Sequence, residues 1–170
     1  MQVGSVGPLP VAPYTAIVML KKRKARELAM QVLFLWDTNG ASDAVLAAQV
    51  AEEGAADDET RRQGLKMAAD AWNGRETADT WIERLAPQWP PRRQPGVDRN
   101  ILRLAVWELT SGQTPPKVVI DEAIELAKSF STSQSPGFVN GVLDAILKEM
   151  QALTGGLPAG TNDQAPMTNE

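Results

Sequence analysis

Lys21, Lys22, Arg23, Lys24 and Arg26 place five basic side chains within six consecutive positions of a chain whose 17 basic residues are outnumbered by 21 acidic ones. The positive potential is therefore local, and an anionic polymer is drawn to one end of an otherwise acidic molecule. A helical stripe of Ala25, Leu28, Ala29, Val32, Leu35 and Trp36 follows the cluster. At about 100° per residue, Arg23, Met30 and Phe34 fall on the side opposite that stripe. A cation and a flat ring on one exposed face suit single-stranded RNA, the first meeting phosphate and the second offering a surface on which a base stacks. The plainer alternatives are a Phe34 packed under a neighbouring helix and lysines that form a solvated helix start. Cations at a helix start oppose the helix dipole, which weighs toward a functional reason for them.

Other chemistry is restricted by what the chain lacks. It has no cysteine and no histidine, which removes disulfides, thiolate metal sites, the commonest metal ligand and the usual general base near neutral pH. The run VDRNILRLAVWEL brings Asp98, Arg99, Arg103 and Glu108 close in sequence, but without a paired carboxylate or a metal-ligand cluster it reads as a structural network. We expect no enzyme, no cofactor and no metal. The first twenty residues lack a basic leader and are broken by Pro8, Pro10 and Pro13, so they read as neither a signal peptide nor a membrane span. The cysteine-free composition fits the cytoplasm.

These residues must be positioned by helices, because strand-like alternation is nearly absent. The first helix is expected over Lys22 to Asp37. A second is capped by Ser42 and runs through Ala51, a third covers Asp58 to Trp72, and a fourth starts near Thr77 and stops before Pro87. The segment PQWPPRRQPG reads as an extended connection. Val97 to Ser111 forms the next helix, Pro115 and Pro116 open one that carries Val119 to Phe130, and Ser135 with Pro136 starts the last. Asn140 and Gly141 interrupt that last stripe, which implies close helix packing or a partner approaching the backbone. Phe138 lies at the stripe's edge, half exposed. The expected architecture is an all-α helical bundle. Residues 1–18 and 152–170 read as disordered ends around a domain of residues 19–151.

Taken together, KKRKARELAMQVLF, VDRNILRLAVWEL, PPKVVIDEAIELAKSF and SPGFVNGVLDAIL resemble the bacterial transcription antitermination factor NusB family, in order and in spacing, over Met19 to Met150. The resemblance implies about seven helices in two small subdomains. It also implies binding of the boxA element of ribosomal RNA transcripts together with the ribosomal protein NusE, within an RNA polymerase antitermination complex. Carried across by position, the family's RNA surface falls on Lys22, Arg23, Lys24, Arg26, Phe34 (often tyrosine in the family), Phe138 and Asp98. Lysines replace some of the family's arginines, and Gln134 stands where an acidic residue is expected. If five cations meet phosphate, the slope of log affinity on log salt approaches about −3.5. The alternative is a protein-binding or homodimeric helical module. The sequence is also similar to the RNA-binding front part of certain ribosomal RNA cytosine methyltransferases, whose nucleophilic cysteine and glycine-rich cofactor strand are missing here.

Overall fold

The computed structural model describes residues 11–54 and 57–155, and these form seven α-helices: α1 (Val11–Asn39), α2 (Ala44–Gly54), α3 (Asp58–Asn73), α4 (Arg75–Leu85), α5 (Gly96–Ser111), α6 (Pro116–Phe130) and α7 (Ser135–Thr154). Among the described residues there is no strand, and no helix is long and apolar enough to cross a membrane.

Helix α1 begins well before Lys22, with Pro13 in its first turn, where a missing N–H breaks no ladder bond. Residues 11–18, expected in a disordered extension, are its opening turns; residues 1–10 lie outside the described residues. The basic cluster consequently sits mid-helix, and the dipole opposition expected at a helix start does not apply. Gly40, at φ +75°, follows the helix end. Asp43, and not Ser42, caps α2: its Oδ1 accepts from the backbone N–H of Val45 and Leu46 at 2.9 and 3.0 Å. Asp57 does the same for α3 through Thr60 N at 2.9 Å.

Helix α3 lies tightly on α1 because Gly64 has no side chain. A Cβ there would stand 2.7 Å from Leu28 and 3.0 Å from the Ala25 carbonyl. The segment PQWPPRRQPG is not simply extended. It folds into a short 3-10 turn, Pro91–Arg93, with Pro91 and Gln94 buried. The cause is tertiary: Arg99 Nη1 donates to the carbonyls of Pro91 and Gln94 at 2.8 and 3.1 Å.

Helix α5 is the central element and is buried on nearly every side from Asn100 to Val106. It packs against α1, α3, α4, α6 and α7, and the buried apolar residues of these helices form one continuous core. Ion pairs fasten the same junction. Asp37, near the end of α1, accepts from Arg99 at 2.6 and 2.8 Å, from Asn100 at 3.0 Å and from Arg103 at 2.9 Å. Arg103 also forks onto Asp79 of α4 at 2.7 and 2.8 Å. Burial raises the Asp37 pKa, but hydrogen bonds from Arg103, Arg99 and Asn100 outweigh it and hold the carboxyl below its ordinary value. The residues read as a structural network are thus engaged internally.

Three sequence expectations in the C-terminal half need correction. Phe130, the last of the apolar residues that recur every three or four positions from Val119, is exposed at the end of α6. Gly141 would meet nothing within 4 Å if it carried a Cβ, so close helix packing does not explain it. Ser135 does not cap α7; its hydroxyl is turned to Asp98.

Candidate nucleic-acid interface

The expected RNA-binding residues separate into three environments. Lys22 is exposed on the rim of a recess of about 300 Å³ between α1, α3 and the end of α5, and has no ion-pair partner among the described residues. Lys24 is exposed and pairs with Glu27 one turn on, at 3.0 Å. Arg23 forks onto Glu122 of α6 at 2.8 and 3.0 Å, with 43% of its side chain still accessible. The Glu122 hydrogen bonds and charge raise the Arg23 pKa, and the same contacts lower that of Glu122.

Arg26 belongs elsewhere. It is buried, and its Nε and Nη2 donate to the two carboxylate oxygens of Glu108 at 2.7 and 2.8 Å. A guanidinium that is 5% exposed and forked onto a carboxylate is not a surface cation, so the expected exposed position of Arg26 is corrected. Met30 is likewise buried, against the helical-wheel expectation. Helix α1 is covered from two sides, by α3 and by α5, so a single apolar stripe understates what it buries.

Phe34 stays at the surface, 40% exposed. Eleven residues from Arg23, it lies about 16 Å further along α1 on nearly the same face. Its ring rests on Gly96, where a Cβ would come within 2.9 Å of it. Gly96 follows Pro95, a wall of a second groove of about 250 Å³. Asp98, Ser135 and the half-buried Phe138 also line this groove, so the fold brings Phe34, Asp98 and Phe138 to one end of the molecule.

Asp98 is nearly inaccessible, with both carboxylate oxygens committed: Oδ1 accepts from Ser131 Oγ and Oδ2 from Ser135 Oγ at 2.9 Å. These bonds tie the start of α5 to the corner between α6 and α7. Asp98 therefore positions the turn that carries Phe138, and it stands at the floor of the groove and not on its rim. Sequence reasoning missed Trp89, Gln94 and Thr132 in the same groove. The proline-rich stretch gave no period from which their placement could be read. Trp89 is 53% exposed, with the Arg93 guanidinium 5.6 Å from its ring centre.

A cationic track leading to exposed rings beside a base-sized groove can hold a single strand by its phosphates and its bases. Among the described residues no cluster of acidic side chains could hold a metal.

The model of the NusB family matches residues 23–148. A transcription antitermination protein NusB from Solibacter usitatus is 43% identical over 136 residues, which cover 78% of this chain and 92% of the relative. Another, from Symbiobacterium thermophilum, is 37% identical over 153 residues and is covered in full. Among solved structures, a crystal structure of the antitermination factors NusB and NusE in complex with double-stranded RNA superposes with a TM-score of 0.70 at 32% identity, covering 77% of this chain and 98% of that one. The solution structure of NusB from Aquifex aeolicus gives a TM-score of 0.69 at 29% identity, over 86% and 99% of the two chains.

Proposed function

Given that the chain belongs to the NusB family, we propose that it is a non-catalytic cytoplasmic adaptor that binds boxA-type single-stranded RNA of ribosomal RNA transcripts together with NusE, and thereby supports antitermination by RNA polymerase. The carrying observation is the position of Phe34, accessible against Gly96, the neighbour in sequence of Pro95 in the groove that holds Phe138, and in line along α1 with the Arg23 cation. Phosphates run along Lys22, Arg23 and Lys24, and bases reach Phe34 and Phe138. Asp98 acts by holding the α7 corner. NusE occupies a separate face, and two linked modest contacts give a stable ternary complex through effective concentration.

Withdrawal of Arg26 from the surface changes the expected salt dependence. With Lys21 also set beside Asp57 and Glu59 at 3.9 Å, the three cations Lys22, Arg23 and Lys24 at about 0.7 each give a slope of log affinity on log salt of about −2. A gel shift of boxA RNA against a scrambled RNA, with and without NusE, tests the reading, and equal binding of both RNAs under both conditions overturns it. Lys22→Glu with Lys24→Glu is the matching substitution. It is expected to bring the slope nearer zero than about −1 while helical content is unchanged. A slope unmoved by that double reversal places the RNA elsewhere.

A further inference from the structure

One residue that lines the groove beside Phe138 carries a buried polar atom that the fold leaves unanswered. Gln94 is 5% exposed, its Nε2 donates to the Trp89 carbonyl at 2.8 Å, and its Oε1 is a buried side-chain oxygen with no hydrogen-bond partner. The Trp89 bond fixes which end of the amide is oxygen, because a carbonyl can only accept. The acceptor is thus oriented by the protein. Other polar groups in the groove floor are satisfied among themselves, Asp98 by Ser131 and Ser135. Buried acceptors without donors are rare in folded proteins, and the residue that carries this one lines the groove. The exposed Trp89 indole, with a cation on its ring, adds a stacking surface at the same opening.

We propose that this groove takes one unstacked RNA base and that Gln94 selects it, its Oε1 accepting from an exocyclic amino group while Trp89 supplies a stacking face. Adenine, cytosine and guanine carry such a group; the exocyclic atoms of uracil are carbonyl oxygens only. The inference rests on the RNA-binding reading above and adds to it a residue and a chemical class of base.

The test is an amino-deletion scan of the boxA-type RNA bound by the full chain. In successive oligonucleotides one adenosine is replaced by purine riboside, one guanosine by inosine, or one cytidine by its 4-deamino analogue. At one position the deletion is expected to weaken wild-type binding by about five- to tenfold, the worth of one hydrogen bond to a buried acceptor. Gln94→Met is expected to bind the intact and deleted RNAs within about twofold of each other at that position. The ratio is unaffected by a change in the folded fraction. The Gln94 side-chain carbonyl ¹³C signal of the wild type gives a reading without any variant: it moves with the intact RNA and not with the deleted one. A scan with no sensitive position, or a Gln94→Met protein that discriminates as the wild type does, overturns the assignment and leaves RNA binding standing. A wild type that binds none of the RNAs overturns both.

Discussion

Two arginines three residues apart on α1 make the same forked contact with a glutamate, and the surroundings give them opposite roles. Arg26 meets Glu108 where α1 meets α5, with both side chains at or below 6% exposure, whereas Arg23 meets Glu122 of α6 with 43% of its own side chain still accessible. A buried pair is held by mutual necessity, since removing either partner strands the other charge in a medium that solvates it poorly. An exposed pair is a loose association that another anion can replace. A cluster of basic residues in sequence is therefore not yet a basic surface; how closely helices cover each position decides which of its charges remain available.

The widest separation between the two pairs is expected in stability. Arg26→Ala should lower the unfolding free energy by about 3–5 kcal/mol, read as a lower urea midpoint. Its affinity for RNA per folded molecule should change little. A variant that keeps full stability but loses RNA would show that the guanidinium is available after all.

Acid gives an intermediate effect that touches the exposed pair and the Asp37 junction together. For Asp37, burial raises the pKa but the donors of Arg103, Arg99 and Asn100 outweigh it; for Glu122, the hydrogen bond from Arg23 is the largest cause of its lowering. A carboxyl with a depressed folded-state pKa binds fewer protons folded than unfolded. Its stabilisation is complete above the ordinary carboxylate range and is lost as pH falls through the folded value. The urea midpoint should stay level from about pH 7 to about pH 5 and drop below about pH 4. A midpoint that rose on acidification would contradict these contacts.

The smallest stability change belongs to Arg23→Ala, under about 1 kcal/mol, because solvent screens a pair whose arginine side chain is 43% accessible. Here RNA affinity should respond more than the unfolding midpoint does. The reverse order would make the Glu122 contact purely structural.

Much of the fold was legible from apolar periodicity and breakers. The helices after Gly96 fall within a residue or so of expectation, since Gly112 and the Pro115–Pro116 pair mark their ends without ambiguity. Errors arose where tertiary contacts override local signals. Ser135 has the sequence context of a cap, yet its hydroxyl serves Asp98. Arg26 and Met30 were misplaced because a helical wheel assigns one wet side to a helix that α3 and α5 enclose from two directions. Pro13 was read as a breaker where it opens α1. The exposed position of Phe34 was legible because it falls opposite the apolar stripe. Gln94 and Trp89 were not, since a proline-rich segment held by Arg99 has no repeat to read.

The seat beneath Phe34 has a consequence for how the docking face could drift over evolutionary time. The height of that ring above the surface is set by a hydrogen atom on another helix, at Gly96, where even one methyl group would crowd it. On the proposed reading, recognition by α1 is tuned from α5, so a change at Gly96 alters the grip on a transcript without altering any residue that touches it.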